Sequence, residues 1–363
     1  MEKIRVLVVD DSAIVRDVLA RAVEEQKDME LAGTAPDPFV ARDKIVRLKP
    51  DVITLDIEMP RMDGLTFLET LMRYFPLPVI IVSSITTKDP YAAVKALELG
   101  AFDVVNKPGG SITVEEVKEE IIRKIRLAFE AKDVFLEKWK EQAVDALAVA
   151  HKRREKQVIL KPPVAEREFL TQISTTEKLI ALGASTGGTV ALEYIFRRLP
   201  RNVPPMVVTQ HMPVNFTRQF ALRLNDLSEL TVKEGEEGEL LQIGTAYIAP
   251  GGYHMEVVRR GASLFIRLHT GERIHFQRPA VDVLFRSVAQ HAGRNALGIL
   301  LTGMGKDGAE GLLAMKEAGA HTLAQDERTS IVWGMPRTAI ELGAARKVVS
   351  LEQVPDAILN FSQ

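Results

Sequence analysis

Ile4-Arg-Val-Leu-Val-Val9-Asp10-Asp11-Ser12 decides how the first third of the chain reads. A short apolar, β-branched run stops abruptly at two acids and a serine, and a helical pattern over Ala13–Glu25 follows, as expected for a buried strand feeding a capped helix. The arrangement recurs. Val52–Leu55 ends at Asp56, Val79–Val82 at Ser83, and Phe102–Val105 at Asn106-Lys107. Met29–Gly33 offers a weaker fifth strand, and Thr66–Tyr74 a further helix. Short strands alternating with helices predict a parallel sheet covered on both faces. In such sheets ligands bind outside the carboxyl ends of the strands, where Asp10, Asp11, Asp56, Ser83 and Lys107 all fall.

The rest of the composition narrows the class. At 363 residues, two domains are expected. Lys and Arg number 47 against 49 Asp and Glu, so the basic excess of a nucleic-acid binder is missing. There are no cysteines, which excludes disulfides, thiolate zinc sites and a cysteine nucleophile. The first apolar run is too short for a signal peptide, and no stretch approaches 18 uncharged apolar residues. A soluble, cytoplasmic protein without membrane insertion is expected.

Three carboxylates at neighbouring strand ends repel one another unless a hard cation joins them, and Mg²⁺ suits oxygen ligands and phosphate. A lysine and a hydroxyl beside them suit phosphoryl oxygens, and Asp56 is placed to be the nucleophile. Taken singly, each of these residues is good cap or turn material. Together, Val-Val-Asp10-Asp11-Ser, Leu-Asp56-Ile-Glu-Met-Pro60-Arg-Met-Asp-Gly64, Val-Ser83-Ser and Asn106-Lys107-Pro108 resemble the response-regulator receiver family over about 110 residues. The resemblance implies a flavodoxin-like (βα)5 domain with Asp56 as phosphoacceptor. It also implies Mg²⁺ held by Asp11, Asp56 and the Glu58 carbonyl, with Asp10 acting through water, and Ser83 and Lys107 reading the phosphoryl group.

Thr113 to about Lys140 is a long amphipathic stretch that closes this domain. His151-Lys-Arg-Arg-Glu-Lys, Lys161-Pro-Pro and Thr171-Gln-Ile-Ser-Thr-Thr then mix charges, prolines and hydroxyls without apolar periodicity, a linker composition. The expected division is 1–133, a linker over 134–176, and a second domain over 177–363. Strand-like runs in that domain are Leu179–Leu182, Met206–Thr209, Ala246–Ile248, Leu297–Leu301 and His321–Ala324. Helical patterns cover Val190–Leu199, Asp282–His291 and Ala309–Ala318, and Met255–Arg260 with Ser263–Leu268 reads as a hairpin. The expectation is a doubly wound, mostly parallel Rossmann-like sheet with a small antiparallel hairpin.

Leu179–Leu182 leads into Gly183-Ala-Ser185-Thr-Gly187-Gly188. A hydroxyl on a glycine turn between strand and helix is exposed beside backbone N–H groups that can stabilise an oxyanion. Gly-x-Ser-x-Gly matches the nucleophile-elbow pattern, though the motif is short. A P-loop would need Gly-Lys-Ser/Thr, which is missing. A dinucleotide loop would need an acid where the next strand ends, and that strand ends Thr209-Gln210-His211. His211, and Asp307 within Leu301-Thr-Gly-Met304-Gly-Lys-Asp307-Gly, also follow strands. A hydroxyl, a base and an orienting carboxylate are the chemistry of acyl transfer, in the unusual chain order Ser, His, Asp.

Leu182-Gly-Ala-Ser185-Thr-Gly-Gly, Gln210-His211-Met-Pro, Tyr247-Ile-Ala-Pro-Gly-Gly-Tyr-His254, Arg278-Pro-Ala-Val-Asp282-Val-Leu-Phe285, the Met304–Asp307 block, Ala324-Gln-Asp-Glu327 and Gly334-Met-Pro-Arg together resemble the CheB family of chemotaxis methylesterases. The resemblance implies a phosphorylation-activated serine hydrolase that cleaves methyl esters from glutamates of methyl-accepting chemoreceptors and deamidates their glutamines. Ser185 would be the nucleophile, His211 the base and Asp307 its orienting acid, with backbone N–H groups of Thr186 and Met304 as the oxyanion hole and no metal in that step. The phosphodonor would be the chemotaxis histidine kinase CheA. The unphosphorylated receiver is expected to lie over the hydrolase edge.

Other residues read as structural: His254, His275 and His321 as packing or surface groups, Asp282 as a helix-opening acid, Trp333 and Met335 as core. Arg278 is a possible substrate contact, as is Arg218 near Phe216. Three rival readings carry different requirements. A receiver-linked transcription factor needs a basic helix-turn-helix, an oxidoreductase needs the missing acid, and a binding-only adaptor needs the triad geometry to fail.

Overall fold

The computed structural model describes residues 3–83, 92–107, 113–137, 139, 178–214 and 216–363. The expected linker therefore falls mostly outside the described residues, as does Pro108. The first sheet contains β1 (Ile4–Val9), β2 (Met29–Ala35), β3 (Val52–Asp56), β4 (Val79–Ser83) and β5 (Asp103–Asn106), ordered β2-β1-β3-β4-β5. All its pairings are parallel. Around it lie α1 (Ala13–Glu24), α2 (Pro38–Leu48), α3 (Gly64–Tyr74), α4 (Ala92–Glu98) and α5 (Val114–Glu130). Ser12 caps α1 through Val15 N–H, Asp37 caps α2 through Phe39 and Val40 N–H, and Thr113 with Glu116 forms a capping box on α5. α5 ends at Glu130, earlier than the amphipathic pattern suggests; a separate helical segment follows over 132–137.

The second sheet has seven parallel strands, ordered β14-β13-β12-β6-β7-β9-β8. They are β6 (Leu179–Ala184), β7 (Met206–Gln210), β8 (Thr231–Glu234), β9 (Thr245–Ile248), β12 (Ala296–Leu300), β13 (His321–Gln325) and β14 (Lys347–Val349). An antiparallel hairpin of β10 (His254–Arg260) and β11 (Ser263–His269) stands beside it. Its helices are α6 (Gly188–Phe196), α7 (Phe216–Leu227), α8 (Val281–His291), α9 (Ala309–Glu317), α10 (Met335–Glu341) and α11 (Val354–Ser362). The chain starts at β6, winds outward through β7, then returns to lay β12 on the other side of β6. The order reverses between β6 and β12, the crevice where α/β sheets bind ligands.

The two cores meet. Val94 of α4 packs in the cluster around Ile180, Leu192 and Phe220, while Phe216 and Val332 pack with the core of the first sheet. The docked face of the first unit is therefore apolar, with polar contacts added around it. No helix among the described residues is long and apolar enough to cross a membrane.

Candidate functional sites

At the carboxyl edge of the first sheet, Asp10, Asp56 and Ser83 are buried and Asp11 is exposed. Lys107 Nζ lies 2.7 Å from a carboxylate oxygen of both Asp10 and Asp56. Ser12 N–H donates to Asp10 Oδ1 and Glu58 N–H to Asp56 Oδ1. Ser83 Oγ is buried without a partner among the described residues, a free hydroxyl at the edge where a phosphoryl group would sit. Oxygens of Asp10, Asp11 and Asp56 lie within 4.8 Å of one another, so the donor set fits a hard divalent ion. Burial raises the Asp10 carboxyl and pushes Asp56 up to about 6. Burial alone would lower the Lys107 ammonium, but its bonds to Asp10 and Asp56 outweigh that and raise it.

This predicts a stability effect. A carboxyl raised on folding contributes stability below its unfolded pKa and loses it as pH rises through the folded value. In metal-free buffer, Asp56→Asn should therefore be more stable than wild type above pH 6, by at most about 3 kcal/mol, and similar below about pH 4. Denaturant unfolding at pH 4 and pH 7.5 checks this; equal stabilities at both would refute it.

The second site lies at the ends of β6, β7 and β12. Ser185 follows β6 directly, and its N–H donates to Thr302 O at 3.0 Å. Gln210 Nε2 donates to Ser185 O at 2.9 Å and to His211 O at 3.2 Å, and His211 N–H donates to Ala184 O at 3.0 Å. Thus the serine and histidine segments are tied through backbone. Gly187 begins α6 in the left-handed region at φ 80°, with no side-chain cap, which leaves the helix N-terminus open to a ligand. Gly303 is needed for space: a Cβ there would lie 2.7 Å from Ser185 Cβ and 2.3 Å from Met335 Sδ.

His211 Nε2 is 2.7 Å from Asp307 Oδ2, leaving Nδ1 as the ring nitrogen available to a serine hydroxyl. Asp307 is buried. Its carboxylate also accepts Val281 N–H at 2.7 Å and Asp282 N–H at 2.9 Å. The acid thus caps α8, a helix distant in sequence, and not α9, which it precedes. Burial alone would raise Asp307; His211 and the two N–H donors outweigh it and hold the carboxyl below its ordinary value. Thr186 and Met304 N–H have no acceptor among the described residues, consistent with donors kept for an oxyanion.

The first unit covers this site. Asp103 Oδ2 accepts the Thr186 hydroxyl at 2.7 Å, while its Oδ1 accepts from Lys124 at 2.8 Å. Arg123 contacts Met304 Sδ, and Arg223 bridges Glu98 and Glu193. Leu97, Phe102, Asp103 and Val104 close over Ser185 and His211, leaving a cavity of about 20 Å³, room for about one water.

Several expectations are refined. His254 is buried, its ring bonded to Glu272 O and Ala280 N–H, and burial lowers its pKa. His321 is exposed and packs edge-on to Phe361. Met335 is core, whereas Trp333 is part-exposed and donates to Gln325 O. Arg278 spends Nη1 on Thr270 O and Gly271 O; Arg218 is exposed. Asp282 does more than open a helix: its carboxylate accepts Gly311 N–H of α9. Gln210 lies in a quoted motif but was given no role there, and Asp103 has a position in the site that no sequence motif marks.

Comparison with known proteins places these geometries. The family described as CheB methylesterase matches residues 180–358, and the response regulator receiver domain family matches residues 6–122. A protein-glutamate methylesterase/protein-glutamine glutaminase 2 of Syntrophus aciditrophicus is 49% identical over 99% of this chain and 100% of its own. The corresponding enzyme of Salmonella typhimurium is 49% identical over 99% and 97%. The crystal structure of the Thermotoga maritima CheB methylesterase catalytic domain is 40% identical, with a TM-score of 0.50 over 51% of this chain and 98% of its own. With a flavodoxin-like sheet docked on the edge that carries Ser185, His211 and Asp307, the chain belongs to the family of receiver-containing protein-glutamate methylesterases/protein-glutamine glutaminases.

Proposed function

We propose that Ser185 attacks the γ-carbonyl of a glutamate methyl ester on a methyl-accepting chemoreceptor. His211 takes the serine proton and returns it to departing methanol, and Asp307 holds the ring and balances its positive charge. Thr186 and Met304 N–H receive the oxyanion. Water, deprotonated by His211, then releases the glutamate, and a glutamine side chain follows the same course with ammonia leaving. The observation that carries this reading is the His211–Asp307 bond held against the N-terminus of α8, at the sheet edge that also presents Ser185.

The regulatory half follows the same geometry. The units are taken as 1–133 and 177–363, joined by 134–176, in a cytoplasmic protein. Asp56 accepts a phosphoryl group from the chemotaxis kinase CheA, Ser83 and Lys107 bind its oxygens, and Asp11, Asp56 and the Glu58 carbonyl would hold Mg²⁺, with Asp10 acting through water. When bound, the ion neutralises charge on the carboxylates and the phosphoryl oxygens. Phosphorylation opens the cover only if the open pose binds the phosphoryl group better than the closed one.

The test is methanol release from methylated receptor membranes by the intact chain, with and without a small-molecule phosphodonor and Mg²⁺. A release that rises with phosphodonor is expected; no methanol under either condition sinks the reading. Arg223→Ala removes the Arg223–Glu98 pair without touching Ser185 or His211. Basal release should rise about tenfold if that contact contributes near 1.4 kcal/mol to closure, while the phosphodonor-stimulated rate stays nearly constant. Unchanged basal release would show that the cover does not depend on this pair.

A further inference from the structure

Behind Asp307 stands a second carboxylate–imidazole pair that the acyl-transfer steps leave unused. Asp282 is 1% exposed. Its Oδ1 accepts Gly311 N–H at 2.6 Å, but its Oδ2 is buried with no hydrogen-bond partner. His275 Nε2 lies 3.3 Å from that oxygen. Side-chain atoms of His275, Asp282 and Asp307 all lie within 4.8 Å of one another. His275 and Phe276 both sit in the left-handed region, at φ 51° and 64°, within a tight turn closed by two hydrogen bonds between Ile274 and Gln277. Non-glycine residues in that region cost energy, and here the cost turns an imidazole towards a buried carboxylate.

Two buried carboxylates this close do not both stand bare. Asp307 has three donors, from His211, Val281 and Asp282, and keeps its charge. Asp282 has the Gly311 donor alone, so it must share a proton with His275 or pair with the imidazolium. Burial, and then the Asp307 charge, accordingly raise the Asp282 carboxyl. The other charged or titratable groups facing the pair are His211 across Asp307, Arg286 one turn along α8, and His254 of β10.

We infer that Asp282 and His275 are positioning residues for the hydrolase. One proton held between them keeps the inner carboxylate from displacing charge on Asp307, and the pair's field tunes how strongly His211 holds a proton. The carboxylate end points inward and the imidazole, whose side chain is 29% exposed, lies towards solvent, so water screens the imidazolium more than the carboxylate. The net field of the pair at His211 is therefore negative.

This inference rests on the triad reading, and the experiment separates the two. The full chain is assayed for methanol release with phosphodonor and Mg²⁺ across pH. Asp282→Asn keeps an oxygen for Gly311 N–H and places an amide where Oδ2 faced His275, so the fold is retained. The acid limb of kcat/KM should move about one pH unit lower, and kcat should fall up to about tenfold because His211 becomes a weaker base, with KM little changed. His275→Asn, a residue that tolerates left-handed backbone, should also move the limb. In the Asp282→Asn background it should have no further effect. A limb that stays fixed in Asp282→Asn, or independent additive effects of the two substitutions, overturns the inference. If Ser185→Ala retains wild-type activity, the triad reading has failed instead.

Discussion

Ser185→Ala should release methanol from methylated receptors on the order of 10⁶-fold more slowly than wild type, as removal of a nucleophile that works as a unit with its base does. The expectation follows from how the residue is held. Its carbonyl is gripped by Gln210 Nε2 and Gly188 N–H, and its own N–H is bonded to Thr302 O. Alanine changes none of these backbone bonds, so the loss would report chemistry and not folding. Gly303 packs against the serine Cβ, which alanine retains, so packing is unchanged as well. Methanol should be measured by trapping volatile product over hours, because the residual rate is small. Receiver phosphorylation should be unaffected, since Asp56 lies at the edge of the other sheet, and this supplies an internal control. A Ser185→Ala protein that phosphorylates normally and still releases methanol at wild-type rate would remove the serine from the mechanism.

Much of this site was legible because strand ends are legible. Ile4–Val9 is β1 to the residue, and Val52, Val79, Leu179 and Met206 each open the strand expected there. β5 and β12 shift by one residue, to Asp103–Asn106 and Ala296–Leu300, which leaves Lys107 and Asp307 in the following loops. Apolar runs ending in polar residues report where chain leaves a buried sheet, and in a parallel sheet all such exits share one edge. Helix α2 is one of the five that a (βα)5 domain requires, but its bounds were missed although Asp37-Pro38 is a sound start signal; its apolar face is carried by only a few residues, with Pro38, Ala41 and Ile45 buried. Helix α7 and the edge strands β8 and β14 were missed as well, the strands being four and three residues long.

What could not be read is pairing between distant segments. Nothing near Asp307 reveals that it caps α8, since a residue preceding a helix reads as that helix's own cap. Nothing near Asp103 reveals a bond to Thr186, 83 residues away, because both are ordinary polar residues at strand or loop positions. The docking of the two units rests on buried Val94, Phe216 and Val332. In the sequence an apolar residue bound for the other unit looks the same as one bound for its own core, so an intramolecular interface leaves no periodic signal.

Asp307→Asn carries the second large effect, a fall in kcat of about 10⁴ at neutral pH, the size seen when a triad carboxylate becomes an isosteric amide. Oδ2 accepts from both His211 Nε2 and Val281 N–H, while Oδ1 accepts from Asp282 N–H. An asparagine has one oxygen and one NH₂. With oxygen at the Oδ2 position, its NH₂ meets the Asp282 N–H head on; with NH₂ there, it meets the Val281 donor and reverses the bond to His211. In the latter case Nε2 becomes an acceptor, the proton moves to Nδ1, and the nitrogen that should accept the serine proton is already protonated. In either case the negative charge that balances imidazolium is lost. Because Asp307 is held below its ordinary pKa, wild type should keep this charge well into the acid range. In Asp307→Asn the imidazolium is less stable, so the residual activity should rise with pH as hydroxide replaces the missing base. The measurement is kcat from pH 6 to 10 for both proteins, with circular dichroism to show that α8 remains capped and folded. A loss smaller than about tenfold at pH 7 would mean that Asp307 serves the helix and not the histidine.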